Sequence, residues 1–148
     1  MDMNALIGGL YQAFGHRARP EQFTDAAACN TLEPLLSGAR LQDIGLAQLG
    51  GGSFGYLNSL TYAAFGYCLP RLLELALQGL RSHDGHLFAE HLLRLLGATE
   101  EHERFERYSE PEVMAVLDAI DYLYVEMGEQ MSAATLDDAL MLWADKVV

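Results

Sequence analysis

The chain has 148 residues, 51% of them apolar and 20% charged, a composition that suits one globular domain and excludes a disordered body. Its 26 Leu and 19 Ala far outnumber the 13 Ile, Val and Thr together, which favours an all-α class and argues against a sandwich or barrel. The net charge of −12 disfavours direct binding of nucleic acid, because acidic residues repel phosphates.

We expect a compact single-domain bundle of about six or seven helices that spans residues 1–148. The first predicted helix has Asp2 or Asn4 as its N-cap, repeats apolar residues at helical spacing as far as Phe14, and stops before Pro20.

A second helix is predicted from Thr24 or Asp25, as N-cap, to Leu36. Pro34 should kink or restart this helix, and Gly38 should end it. The segment that follows ends in a run of glycines, which we interpret as a flexible connection because glycine loses the most backbone entropy in a helix.

This glycine-rich connection matches G-x-S-x-G, the nucleophile elbow of α/β-hydrolases, with Ser53 at its centre. Asp84, followed by His86 or His91, supplies the acid and the histidine in the chain order of those enzymes. The elbow works only where a strand of a central sheet leads into it, and this chain has no series of strands. We therefore interpret the match as a loop. A small hydrolase that uses Ser53 is one enzymatic alternative.

A long apolar segment occupies the middle of the chain. An uncharged helix is predicted from Asn58 or Ser59 to Leu69, where Pro70 should kink or break it. An amphipathic helix should follow as far as Leu80, and the two together are predicted to form the central buried element. The polar stripe of the second helix consists of Arg71, Glu74, Gln78 and Arg81.

The next helix is predicted to begin with Asp84 as its N-cap and to end at Gly97. A cluster of metal-binding residue types lies along it: His83, His86, Glu90 and His91. On a helix, His91 is rotated by about 140° from His86, so the two cannot easily share an ion. A row of His86, Glu90 and Arg94 at spacings of four indicates a solvent-exposed face with a Glu–Arg pair instead. A metal-dependent enzyme is the other enzymatic alternative, but we expect no metal.

Ser109 and Glu112 have the spacing of a capping box at the start of the clearest predicted helix, residues 109–131. Its apolar stripe consists of Val113, Leu117, Ile120, Tyr124, Met127 and Met131. The last helix is predicted to begin at Thr135 with Asp138. Its buried stripe consists of Leu136, Leu140, Trp143 and Val147.

Acidic residues are concentrated at the C-terminal end. Residues 1–97 hold eight acids and six bases, whereas residues 98–148 hold thirteen acids and three bases. Four acids of the long helix are predicted to lie outside its apolar stripe: Asp118, Asp121, Glu126 and Glu129. A negative surface of this kind attracts basic proteins, so these four are the predicted partner-binding residues.

The remaining features exclude several classes of protein. Cys29 and Cys68 are too few for a disulfide scaffold and form no CxxC, so they are predicted to be buried, inert thiols. The N-terminus lacks the pattern of a secretory signal, and no continuous block of about 20 apolar residues occurs, which favours a cytoplasmic protein without a membrane span. No nucleotide-binding motif is present, and we expect no cofactor.

Three stretches occur together in this chain: Phe23-Thr24-Asp25 ahead of Cys29 and Glu33, then Phe65-Gly66-Tyr67-Cys68-Leu69-Pro70-Arg71-Leu72-Leu73, then Ala139-Leu140-Met141-Leu142-Trp143. Together they resemble a small all-helical bacterial family of unassigned function, and the resemblance spans nearly the whole chain. Members tend to carry His or Cys and Glu around the first stretch, where residues 26–28 of this chain are alanines, so any site there is depleted. The resemblance implies a fold and no activity.

Small size, charge polarity and the lack of a catalytic constellation favour a cytoplasmic acidic binding module. Most concretely, we expect an immunity or antitoxin-like protein that occludes a basic partner protein with its acidic C-terminal surface.

Overall fold

The computed structural model describes residues 2–25, 32–45, 48, 55–98 and 107–146, and it confirms the all-α class. The described residues form six α-helices: α1 Met3–Phe14, α2 Leu32–Ser37, α3 Tyr62–Leu77, α4 Phe88–Leu96, α5 Glu110–Met127 and α6 Ala133–Asp145. Three short 3₁₀ helices accompany them: Leu41–Asp43, Gly55–Ser59 and Gly128–Gln130.

The helices pack around one hydrophobic core to which all six contribute. Helix α1 packs on α3 and α5, helix α3 also packs on α4, and helix α6 packs on α4 and α5. The first helix follows its sequence pattern, because Leu6, Leu10 and Phe14 are its buried residues and Asp2 occupies its N-cap. Its apolar repeat of three and four residues is enough to define the face that meets the core.

Helix α3 corrects the predicted break at Pro70. The helix begins at Tyr62, where the Thr61 hydroxyl accepts the amide of Ala64 at 3.1 Å, and it continues through Pro70 to Leu77. Because the helix is continuous, the central element is one helix rather than two, and most apolar residues of both halves are buried. An internal proline costs a helix about 3 kcal/mol, which the burial of α3 against three other helices offsets.

The described part of the second predicted helix begins only at Leu32, after the predicted N-caps Thr24 and Asp25. Thr24 forms an isolated antiparallel bridge with Leu60, because the Glu33 carboxylate accepts the backbone amides of Phe23 and Thr24 and holds this segment extended. The neighbouring Asp25 donates its own amide to the Ser59 carbonyl at 2.9 Å. Residues 26–31 of the second predicted helix lie outside the described residues.

Asp84 is not the N-cap of α4, because it lies in a turn ahead of that helix. Ser82 holds this turn by accepting the His86 amide on its hydroxyl at 3.0 Å, and Leu87 is the N-cap of α4. The predicted ends of two helices are confirmed, since α2 ends before Gly38 and α4 ends before Gly97.

Helix α5 has the predicted capping box of Ser109 and Glu112, but its buried face is rotated from the predicted stripe. Tyr124 is 43% exposed and Leu117 is only half-buried. The apolar residues that meet the core are Val113, Val116, Ala119, Ile120 and Leu123. Val116, Ala119 and Leu123 lie outside the predicted stripe, because packing against the neighbouring helices decides which face is buried.

The end of α5 and the start of α6 also differ from their predictions. Helix α5 ends at Met127, and a 3₁₀ turn separates it from α6, which begins at Ala133. Ser132 is the N-cap of α6, and Thr135 is a buried residue of its first turn rather than the residue that begins the helix. Trp143 is buried as predicted, Leu140 is half-buried, and Val147 lies outside the described residues.

A buried ion pair joins the segment after α1 to the start of α5. The Glu112 side chain is 1% exposed and accepts hydrogen bonds from Arg17, one of them at 3.0 Å between Nη2 and Oε1. The same carboxylate accepts the Ser109 amide at 2.8 Å. The Arg17 guanidinium also lies 4.4 Å from the centre of the Tyr108 ring, in cation–π geometry.

Gly97 allows α4 and α6 to meet at backbone distance. A Cβ at this position would lie 2.8 Å from the Ala139 amide nitrogen, which belongs to rigid helical backbone. We predict that Gly97→Ala lowers the free energy of unfolding by about 1 to 3 kcal/mol, the usual cost of overpacking. Urea denaturation followed by circular dichroism measures this change.

Gly128→Ala is the matched control, because a Cβ there would meet nothing within 4 Å. We expect this control to change stability by less than about 1 kcal/mol. Equal effects of the two substitutions would contradict the close approach at Gly97.

Candidate interaction surface on α5 and α6

The structure separates the four predicted partner-binding acids into two places. Asp118 and Asp121 lie on the middle of α5, and Asp121 is exposed whereas Asp118 is half-buried. Glu126 lies in the last turn of α5, and Glu129 lies in the 3₁₀ turn that follows; both are exposed. At about 100° per residue, Glu126 is displaced by about 140° from Asp121, so the four acids do not form a single row.

Two apolar side chains stand in line with the aspartates on the outward face of α5. Val125 is 79% exposed and Met114 is 42% exposed. On a helix these two lie about 20° apart, with Asp118 and Asp121 on either side of the line between them. We call these four residues the α5 face. It is about 16 Å long and combines apolar contact area with negative charge.

The acids of the α5 face have no counter-ion in the part of the chain that the structure describes. The described residues 107–146 carry nine acids but only Arg107 and Lys146 as bases. Two other arginines pair with acids on their own elements: Arg71 lies 2.8 Å from Glu74, and Arg40 lies 2.7 Å from Asp43. Arg17 pairs with the buried Glu112 at the start of α5. Apart from the buried Glu112, the acids of α5 and α6 are exposed or half-buried, so their negative charge faces solvent.

Helix α6 repeats this combination of exposed apolar and acidic side chains. Met141 is 69% exposed, and Asp137, Asp138 and Asp145 are exposed on the same side of the helix. Between α6 and the C-terminal end of α4 lies a partly open groove with a volume of about 530 Å³. The groove is lined by Leu93, Arg94, Gly97, Ala98, Thr135, Asp138, Met141, Leu142 and Asp145.

The histidine and glutamate cluster does not assemble into a metal site. Within the described residues, no group of three His, Cys, Asp or Glu side chains lies close enough to hold a metal ion. His83 and His86 are exposed in the turn ahead of α4, so His86 does not share a helical row with Glu90. Glu90 instead accepts the Ser132 amide at 2.8 Å and lies 4.0 Å from Arg94, the pairing that the spacing predicts.

Ser53 lies outside the described residues, as does Cys29. Cys68 is described, and its predicted burial is confirmed, because its side chain is 1% exposed. Burial raises the pKa of the Cys68 thiol to about 12, although the charge of Arg19 acts in the opposite direction. Almost no thiolate exists at neutral pH, so this thiol is a poor nucleophile.

We predict that Cys68 does not react with a thiol reagent in the folded protein. The measurement uses a Cys29→Ser variant and an aromatic disulfide reagent at pH 8, with and without denaturant. We expect about one thiol per chain to react in denaturant and almost none without it. Fast reaction of the folded variant would contradict the burial of Cys68.

Two features of this surface were missed by sequence reasoning. The spacing of apolar residues does not show that Val125 and Met141 are exposed. The groove forms between two helices that are distant in sequence, so no local pattern predicts it.

Over the described residues, no helix has the length and apolarity to cross a membrane. No family model, curated protein or solved structure matches this chain.

Proposed function

We propose that this protein is an acidic binding module that occludes a basic partner protein, in the manner of an immunity protein or antitoxin, and that it acts in the cytoplasm. The proposal rests on the α5 face, where exposed Met114 and Val125 are flanked by Asp118 and Asp121, neither of which pairs with a base among the described residues. Exposed apolar side chains among uncompensated acids suit a partner that supplies both apolar contact and positive charge.

The charge of the α5 face determines which partners it attracts. Negative residues speed the approach of a basic protein and repel acidic ones, and they repel the phosphates of nucleic acids. Glu126 and Glu129 extend the negative field beyond the C-terminal end of the α5 face. Apolar side chains at the centre of the contact then slow dissociation, because they exclude water from the charged pairs around them.

The test is a charge-reversal variant in which Asp118, Asp121, Glu126 and Glu129 are all replaced by Lys. These side chains are at most half-buried, and we expect circular dichroism to show an intact helical fold. Affinity capture from the native host, followed by mass spectrometry, should recover a basic protein with the wild-type chain and lose it with the variant.

The matched control reverses four exposed acids elsewhere, namely Asp2, Glu21, Asp25 and Asp84, and so changes the net charge equally. We expect the control to retain the partner. The purified partner should bind with an affinity that falls as salt rises, and its own activity should be lost at a one-to-one ratio with this protein. Equal binding by wild type and the α5 variant would contradict the proposal.

A further inference from the structure

A second surface, separate from the α5 face, has the shape and charge of a helix-binding site. The groove between α4 and α6 has an apolar floor of Leu93 and Leu142, with exposed Met141 at its edge. Its volume of about 530 Å³ falls within the range of about 300 to 1,000 Å³ that is typical of ligand pockets. Gly97 lines this groove at the point where the backbones of α4 and α6 come into close contact.

The α6 side of the groove has a regular arrangement of charge and apolar surface. Asp138 and Asp145 line the groove seven residues apart, which places them about 10 Å from each other along the helix axis. Met141 and Leu142 lie between them, three and four residues after Asp138. This is the spacing of a helical seam with acidic ends and an apolar centre.

The charges around the groove favour a positively charged ligand. Asp138 and Asp145 form no ion pair with the residues that the structure describes. Arg94 is the cation on the α4 side, where it lies 4.0 Å from Glu90. A positively charged ligand is thus attracted toward α6 and repelled from Arg94. The charged face of the ligand is therefore expected to contact α6.

We propose that this groove binds an amphipathic helix of a basic partner. The bound helix carries Lys or Arg at positions seven apart, opposite Asp138 and Asp145, and two large apolar residues between them. These apolar residues pack on Met141 and Leu142. Binding of an amphipathic helix in an apolar groove is a recurrent mode of recognition, and the seven-residue spacing on α6 matches two turns of such a helix.

The probe is a synthetic 21-residue peptide of three identical heptads, each with lysine at the first position and leucine at the fourth and fifth, labelled with a fluorophore. We expect saturable one-to-one binding by fluorescence anisotropy that weakens as salt rises. A peptide of the same composition but permuted, so that it has no apolar face, should bind at least tenfold more weakly. A peptide with glutamate in place of lysine should not bind.

Two variants test the location of the site. The double variant Asp138→Lys with Asp145→Lys should weaken binding at least tenfold, and Met141→Ala should weaken it without a change of charge. The matched control is Glu21→Lys with Asp84→Lys, two exposed acids outside both surfaces, which we expect to weaken peptide binding less than threefold. Asp118→Lys with Asp121→Lys is a separate comparison that asks whether the peptide binds the α5 face instead. Circular dichroism and urea denaturation verify that every variant is folded.

Several outcomes would overturn the proposal: no binding at millimolar peptide, equal binding of the permuted peptide, or equal affinity of the α6 double variant and the wild type. Loss of binding in the α5 double variant alone would reject the groove and leave the α5 face as the binding surface. Loss in the α6 variant alone would support the groove even if the α5 face binds nothing, so the two proposals fail separately.

Discussion

Glu112→Gln is expected to lower the free energy of unfolding by about 3 to 5 kcal/mol, because it leaves Arg17 in a largely enclosed site without its counter-charge. The glutamine keeps the shape of the side chain, so the loss reports on charge rather than on packing. Urea denaturation at pH 7 measures the difference.

A double-mutant cycle makes this expectation specific. Arg17→Met alone should also destabilise the protein, whereas the double variant should lose less than the sum of the two single losses, because no buried charge is then left alone. The exposed pair of Arg40 and Asp43 is the control, and Asp43→Asn should cost no more than about 1 kcal/mol. Additive losses at Arg17 and Glu112 would contradict the coupling.

The same pair predicts how stability depends on pH. Burial opposes ionisation of Glu112, but hydrogen bonds from Arg17 and Ser109 outweigh it and lower the pKa of this carboxyl below its usual 4.5. A carboxyl whose pKa is lower in the folded state stabilises the protein above its unfolded pKa and loses that contribution as pH falls through the folded pKa. Stability should therefore fall below about pH 4.5, and more steeply in the wild type than in Glu112→Gln.

Trp143→Ala is expected to cost about 3 to 5 kcal/mol, because the largest side chain of the core is removed and a cavity remains. Trp143 is fully buried, donates its indole N–H to the Leu96 carbonyl at 3.0 Å, and stacks edge-on against Tyr108. The residue thus ties α6 to the end of α4, on which the groove depends.

A series at this position separates packing from hydrogen bonding. Trp143→Phe keeps an aromatic ring but leaves the Leu96 carbonyl without this donor, and should cost about 1 to 3 kcal/mol. Met141→Ala on the same helix is the control, and it should change stability by less than about 0.5 kcal/mol because Met141 is exposed. A loss at Met141 as large as that at Trp143 would contradict the orientation of α6.

The sequence by itself determined the all-α class and the elements that depend on near neighbours. The apolar repeat of α1 and the capping box of Ser109 and Glu112 involve residues three or four apart, and their hydrogen bonds form within one turn. The ends of α2 and α4 before Gly38 and Gly97 are local for the same reason. The concentration of acids near the C-terminus is likewise a property of the sequence alone.

Only the tertiary structure decided the features that depend on distant neighbours. Pro70 lies inside one continuous helix because packing of α3 on three other helices outweighs a local propensity. The face of α5 that is buried depends on its packing against α1, α3 and α6, and the partner of Arg17 is 95 residues away in the chain. The groove exists where α4 and α6 meet at Gly97, because interactions between distant elements have no periodic signal in sequence and are set by the shape of the packed core.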